Sequence, residues 1–223
     1  MADLLPFLPL LLRGTVVTIA LALLGLSLAT ALGVMGAAGR LSGARVCAAL
    51  VRGYTTLARG VPDLVMVMLV YFGGQRLLND IGAYAGWDHV SLPPFWAGVL
   101  SIGLIYGAYL TETFRGAYLA IPSTQTEAAR ALGLGGIVTL YKVIFPQMLR
   151  HALPGYANVW MVLVKSTAVV SVIGLGDLVG MANDIGKSQR EPFLFFGFVL
   201  LVYLSITWIS NRVFSAIERR VAI

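Results

Sequence analysis

The chain has 223 residues, 58% hydrophobic and only 12% charged, where an ordinary soluble domain carries about 25% charged residues. A chain of this balance has lipid as much of its solvent. Its formal net charge of +6 is spread between apolar blocks without a basic, aromatic-rich patch, which argues against a nucleic-acid partner. Cys47 is the single cysteine, so an intrachain disulfide and a cysteine-cluster metal site are excluded.

In chain order, apolar stretches cover roughly residues 14–38, 61–78, 95–111, 153–175 and 193–209. Each approaches or exceeds the ~20 residues a helix needs to cross a hydrocarbon core. The chain is too apolar for alternating barrel strands, so the expected fold is an all-α membrane protein with about five transmembrane helices, in one domain over residues 1–223. Residues 1–12 hold Asp3 and no basic residue before Arg13. The block that follows is too long for the apolar core of a signal peptide, so a retained helix is expected. His89 and His151 lie far apart, as loop or interface residues rather than metal ligands.

Basic residues set the orientation. Arg40, Arg45, Arg52, Arg59, Arg115, Arg130, Lys142, Arg150, Arg212, Arg219 and Arg220 fall on one side of the five spans; Arg13, Arg76, Lys187 and Arg190 fall on the other, beside Asp3, Asp80, Asp88, Asp177, Asp184 and Glu191. Eleven against four puts the N-terminus outside and the C-terminus in the cytoplasm. Trp87, Trp96 and Trp208 are expected at the membrane interfaces. The interior loops, 39–60 and 115–152, are the long ones, and a long loop with helical periodicity usually does more than connect.

In the second of these, Pro122 to Gly133 reads as a short surface helix. Ser123 or Thr124 is expected to cap it, with Glu127 in the first turn and Gly133 closing it in a left-handed conformation. A turn at Gly135 and Gly136 leads to a second helix near Val138. Glu127-Ala128-Ala129, then Gly133, then Val143-Ile144-Phe145-Pro146 resembles the EAA loop of ABC-transporter permeases. Tyr54 to Asp63, containing Arg59-Gly60-Val61-Pro62, is similar to a segment of the polar amino-acid permeases. Gly107 to Ala117, with Tyr109, Glu112 and Arg115, is similar to a second block, and Leu163 to Ser171 to a third. The wording is closest to the Q-type subunits of histidine, arginine or opine uptake systems.

The resemblance implies a type I importer permease in a bacterial inner membrane. Its short cytoplasmic helix would dock into an ATPase subunit, with Glu127, Ala128, Ala129, Gly133 and Pro146 as coupling residues. It further implies two ATPase subunits, a second permease expected to be a paralogue, and an extracytoplasmic amino-acid-binding protein. No GxxxxGK[ST] loop occurs in the chain, so ATP and magnesium would belong to the ATPase and no cofactor to this subunit. An intramembrane enzyme or a non-transporting scaffold are the competing classes. The first lacks a nucleophile with a base in the spans, and the second leaves the Glu127 helix without purpose.

Charges within the spans invite functional readings because each is costly unless paired or wet. Lys165 either pairs to fix helix packing, lines the translocation cavity, or snorkels. Asn158 lies near its face, while Thr167 and Ser171 lie on another. Many relatives carry an acid directly after this lysine; here stands Ser166, so a partner permease is expected to supply the negative charge. Asp63 either sits at a helix start, stabilised by the dipole, or serves as a gate or substrate contact. Glu112 and Arg115 are one turn apart, as an ion pair or a gating pair exchanged with Arg59 or Asp63.

Overall fold

The computed structural model describes residues 4–86 and 90–221. Among them every regular element is a helix. We label the helices α1 (Leu8–Leu41), α2 (Arg45–Gly60), α3 (Asp63–Ala85), α4 (Pro94–Leu119), α5 (Ser123–Ala131), α6 (Gly136–Ile173), α7 (Leu178–Gln189) and α8 (Pro192–Val221). Trp87, Asp88 and His89, and Asp3 at the N-terminus, lie outside the described residues.

The molecule is organised around α4. Two thirds of its apolar window is buried within this single chain, against 6% for α3 and 11% for α8. Its main partner is α1, and the two run parallel. Gly25 faces Ile102, Gly33 faces Leu110 and Gly36 faces Thr111. A Cβ added at Gly25 would lie 2.6 Å from Ile102 Cγ2, and one at Gly33 2.6 Å from Leu110 Cβ. Lipid tails are as apolar as leucine, so membrane helices associate chiefly by packing backbone close to backbone, and small residues permit that. A smaller core at the other end joins Leu11, Leu178, Ala182 and Phe195.

The second span runs over Asp63–Ala85, long and apolar enough to cross a membrane, and α2 precedes it. Tyr54 O–H donates to the Leu104 carbonyl at 2.6 Å, and Asp63 meets Tyr106, the thirteenth of the 26 residues of α4. At the far end, Leu92 N–H donates to Gln75 Oε1 at 2.6 Å, two residues before α4 begins. Between Asp63 and Gln75 the helix rises only about 18 Å, and the rest of α3 stands beyond the end of α4. α2 and α3 are thus separate helices, broken at Gly60-Val61-Pro62. Pro62 causes the break: it has no N–H to donate and drives Val61 out of helical geometry, to φ −101° and ψ 138°.

Other helices run past the apolar blocks that marked them. α6 starts at Gly136, and its first turns contain a π turn at Leu140–Ile144 just before Pro146. An extra residue in the turn accommodates a ring that cannot continue the i→i−4 ladder. From Thr167 to Ile173 the helix tightens to 3₁₀ geometry and stops at Gly174, φ +82°.

Candidate functional site

The loop between the third and fourth spans folds as a separate short helix, α5, with corrections at its start. Its N-cap is Pro122, and neither Ser123 nor Thr124 caps it by side chain. Helix begins at Ser123, which puts Glu127 at the fifth position, past the first turn; proline at the cap displaces the hydroxyl residues into the helix. Its end is as expected. Gly133 has φ +75°, its N–H bonds the Arg130 carbonyl at 2.9 Å, and Leu134 N–H bonds the Ala129 carbonyl at 3.0 Å. This pair of bonds is a Schellman motif. A Cβ at Gly133 would have nothing within 4 Å, so backbone conformation alone demands glycine there.

α5 buries only Ala129; Ala128 and Glu127 face outward or along a cleft of about 550 Å³ shared with Tyr118, Pro122, Thr126 and Arg130. Gln147, one residue past Pro146, spans the loop: its amide donates to the Val143 carbonyl at 2.8 Å and approaches Gln125 Oε1 of α5 at 3.5 Å. A side chain that reaches a residue 22 positions away leaves no local pattern by which sequence reasoning could find it.

The second group of residues gathers at mid-depth. Asp63 Oδ2 accepts from Ser166 Oγ at 2.8 Å and from Tyr106 Oη at 2.9 Å, while the two hydroxyl oxygens lie 2.5 Å apart. Three helices, α3, α4 and α6, thus meet at one carboxylate. Ser166, the serine that stands where the resemblance leads one to expect an acid, lies against a carboxylate of the same chain. An acid is present, delivered by a helix that starts 103 positions earlier. Sequence alone does not single out Tyr106, because one tyrosine in an apolar run looks like any packing residue.

The remaining candidates separate. Lys165 is exposed beside a groove that includes Phe196, Tyr203 and Thr207 of α8. Asn158, earlier in α6, is exposed as well. Thr167 is fully buried, donates to the Val164 carbonyl and lies 3.1 Å from Tyr203 Oη, a packing position. Ser171 donates to Asp177 Oδ1 at 2.7 Å. Asp177 caps α7 through the N–H groups of Val179 and Gly180. Burial moves the Asp177 carboxyl above its ordinary range, outweighing the bonds from Ser171, Gly180 and Val179 that favour the ionised form.

Toward the C-terminal end of α4, Glu112 forms the expected pair with Arg115 at 2.8 Å and a second with Arg40 at 3.5 Å. Arg59 stacks over the Tyr109 ring at 5.3 Å. Arg40, Arg52, Arg59, Tyr109 and Glu112 line one recess of about 380 Å³. Glu112 and Arg59 are therefore neighbours, while Asp63 lies apart with its hydroxyl partners.

A multi-helix membrane chain with an exposed helix between two spans and a polar cluster at mid-depth has the form of a transport permease. Comparison with known proteins gives the family. The model of binding-protein-dependent transport system inner membrane components matches residues 29–223, and the chain belongs to that family. It is 45% identical over 213 residues to the histidine/lysine/arginine/ornithine transport system permease protein HisQ of Salmonella typhimurium, covering 96% of this chain and 93% of that protein. It is 39% identical over 211 residues to the octopine transport system permease protein OccQ of Agrobacterium tumefaciens, covering 94% and 89%. Among solved structures, an amino acid ABC transporter crystallised with histidines matches at TM-score 0.82 and 29% identity, over 99% of each chain. The inward-facing methionine transporter MetNI matches at TM-score 0.74 and 20% identity, again over 99% of each, and shares the fold. The protein is a multi-pass inner-membrane permease subunit with the ABC-importer fold.

Proposed function

We propose that this subunit carries a cationic amino acid or an opine into the cytoplasm, beside a paralogous permease, on two ATPase subunits, and from an extracytoplasmic binding protein. ATP and magnesium are held by the ATPase. The observation that carries the reading is α5, a helix with one buried residue, fixed at its end by Gly133 and tied to α6 through Gln147. An exposed, rigidly ended helix on the cytoplasmic side is suited to be gripped. Closure of the ATPases would move it, and α6 would pass the movement to the mid-depth cluster. The names of the relatives support the substrate class, and the arginine distribution supports a cytoplasmic α5. Glu127, Ala128, Ala129, Gly133 and Pro146 are the coupling set; Arg59, Glu112 and Arg115, joined by Arg40, are the gate-side set. Lys165 and Asn158 remain on the pathway side, whereas Thr167 and Ser171 support packing around it.

Replacing Gly133 by valine forces a β-branched residue into positive φ and misplaces α5. ATPase activity stimulated by the loaded binding protein should fall by about tenfold, a penalty of the size of one left-handed residue, while membrane insertion persists. Unchanged stimulation in Gly133→Val would sink the coupling assignment. The orientation is tested in a Cys47→Ser background on intact cells. A cysteine at Asp80 should react with an impermeant maleimide and one at Arg130 should not; the opposite pattern reverses the topology.

A further inference from the structure

We infer that the recess between α1, α2 and α4 is a binding site for the phosphate of an anionic lipid headgroup, held by Arg40, Arg52 and Arg59. The recess has a volume of about 380 Å³ and sets those three arginines against one acid, Glu112. Glu112 is already shared by Arg40 and Arg115, and among the described residues no carboxylate forms an ion pair with Arg52 or Arg59. Helix packing brings the charges together. A Cβ at Gly39 would lie 3.2 Å from Val51 Cγ2, so the residues that follow, Arg40 and Arg52, stand side by side. Arg59 stacks on the Tyr109 ring. Guanidiniums gathered in one recess repel one another, and an anion between them offsets that repulsion.

Depth and surroundings point to a lipid. Gly36 faces Thr111, five residues past Tyr106 at the middle of α4, and Arg40 lies four residues beyond Gly36. Nine residues of helix put Arg40 roughly 13 Å from that middle, close to the edge of a hydrocarbon core whose half-thickness is about 15 Å. Lipid phosphates lie just beyond that edge, which belongs to the inner leaflet when the N-terminus is outside. Basic pockets between membrane helices on that side take anionic headgroups. α2 buries only Thr55 and Ala58. Its outward side carries Val46, Leu50 and Leu57, 75%, 70% and 68% exposed, where acyl chains find apolar contact. A second groove, of about 730 Å³, runs along α2 past Arg45, Ala49, Gly53 and Leu57 and shares Arg52 and Thr56 with the recess. A guanidinium binds phosphate through two parallel N–H donors, and Arg52, at the junction of groove and recess, is placed to make that contact. The site does not depend on which amino acid is carried.

The test titrates the detergent-purified permease–ATPase complex with dioleoylphosphatidylglycerol or dioleoylphosphatidylcholine, which differ in net charge, and counts bound lipids by native mass spectrometry. The wild-type complex should hold at least one phosphatidylglycerol per copy of this subunit, about tenfold or more tighter than phosphatidylcholine, as for charge-assisted hydrogen bonds. Arg52→Gln/Arg59→Gln should hold one fewer, with phosphatidylcholine binding unchanged. Arg212→Gln removes a charge that lies on α8, over Trp208 and outside the recess, and should lose none. Equal affinity for the two lipids in the wild type overturns the inference, as does an undiminished count in the double variant. An equal loss in Arg212→Gln overturns it too, because general basic charge would then account for the binding. Displacement of the lipid by millimolar inorganic phosphate assigns the recess to a free anion and overturns the lipid site. If the double variant does not assemble, Thr56→Glu decides. An acid at this exposed position, shared by groove and recess, must expel the same phosphatidylglycerol, and its retention overturns the inference.

Discussion

Glycine does opposite work in the α1–α4 seam and at the end of α5. Gly36 is ordinary helix, and its hydrogen is needed because the Thr111 side chain occupies the space a Cβ would take. Gly133 has empty space around it and is needed because its φ is +75°. One site fails through sterics between two spans, the other through the conformational preference of a single residue. The first bears on how the bundle packs, and the second on how the end of α5 is held.

The largest effect is expected in the seam. Gly36→Leu inserts a side chain between two helices buried against each other, where overpacking costs about 3 kcal/mol or more. The purified complex should lose folded yield and melt at clearly lower temperature. A normal melting temperature would mean the seam is looser than its geometry. At Gly133, asparagine is the informative partner of the valine variant. Asparagine tolerates the left-handed region, so Gly133→Asn should keep at least half of the stimulated ATPase rate, with melting unchanged in both variants. If asparagine is as damaging as valine, side-chain volume and not φ decides, and the distinction fails. The smallest effect is expected at Gly116, which lies inside α4 with negative φ and nothing within 4 Å of an added Cβ. Gly116→Ala should stabilise by about 0.5–1 kcal/mol and leave transport alone.

The loop that holds α5 is legible in the sequence because its determinants are contiguous. A run of helix formers, a glycine shortly after Glu127 and a proline further on keep their meaning without knowledge of the rest. The start of α5 reads wrongly because a proline just before two hydroxyl residues takes the cap position from them. The mid-depth cluster is not legible. Its members, Asp63, Tyr106 and Ser166, are separated by 43, 60 and 103 positions, and no periodicity within one helix brings them together. The serine after Lys165 looks like a lost charge only because the acid that meets it belongs to another helix. The break at Pro62 is visible as a residue pair, but its depth is not. Hydropathy measures how apolar a segment is; the level at which the segment begins is set by its partners, here by Tyr106 and Gln75.

The parallel seam also has a consequence for how the chain is made. α1 leaves the ribosome first, yet Gly25 meets Ile102 and Thr18 accepts the Leu178 N–H, 160 positions later. At about 5–20 residues per second, α1 waits roughly 4–15 s for α4, and roughly 8–32 s for the backbone N–H that satisfies Thr18. During that interval its row of small residues faces lipid or the insertion machinery. The first span thus completes this packing only after synthesis has passed Leu178, and biogenesis of this subunit is bounded by synthesis of its C-terminal half.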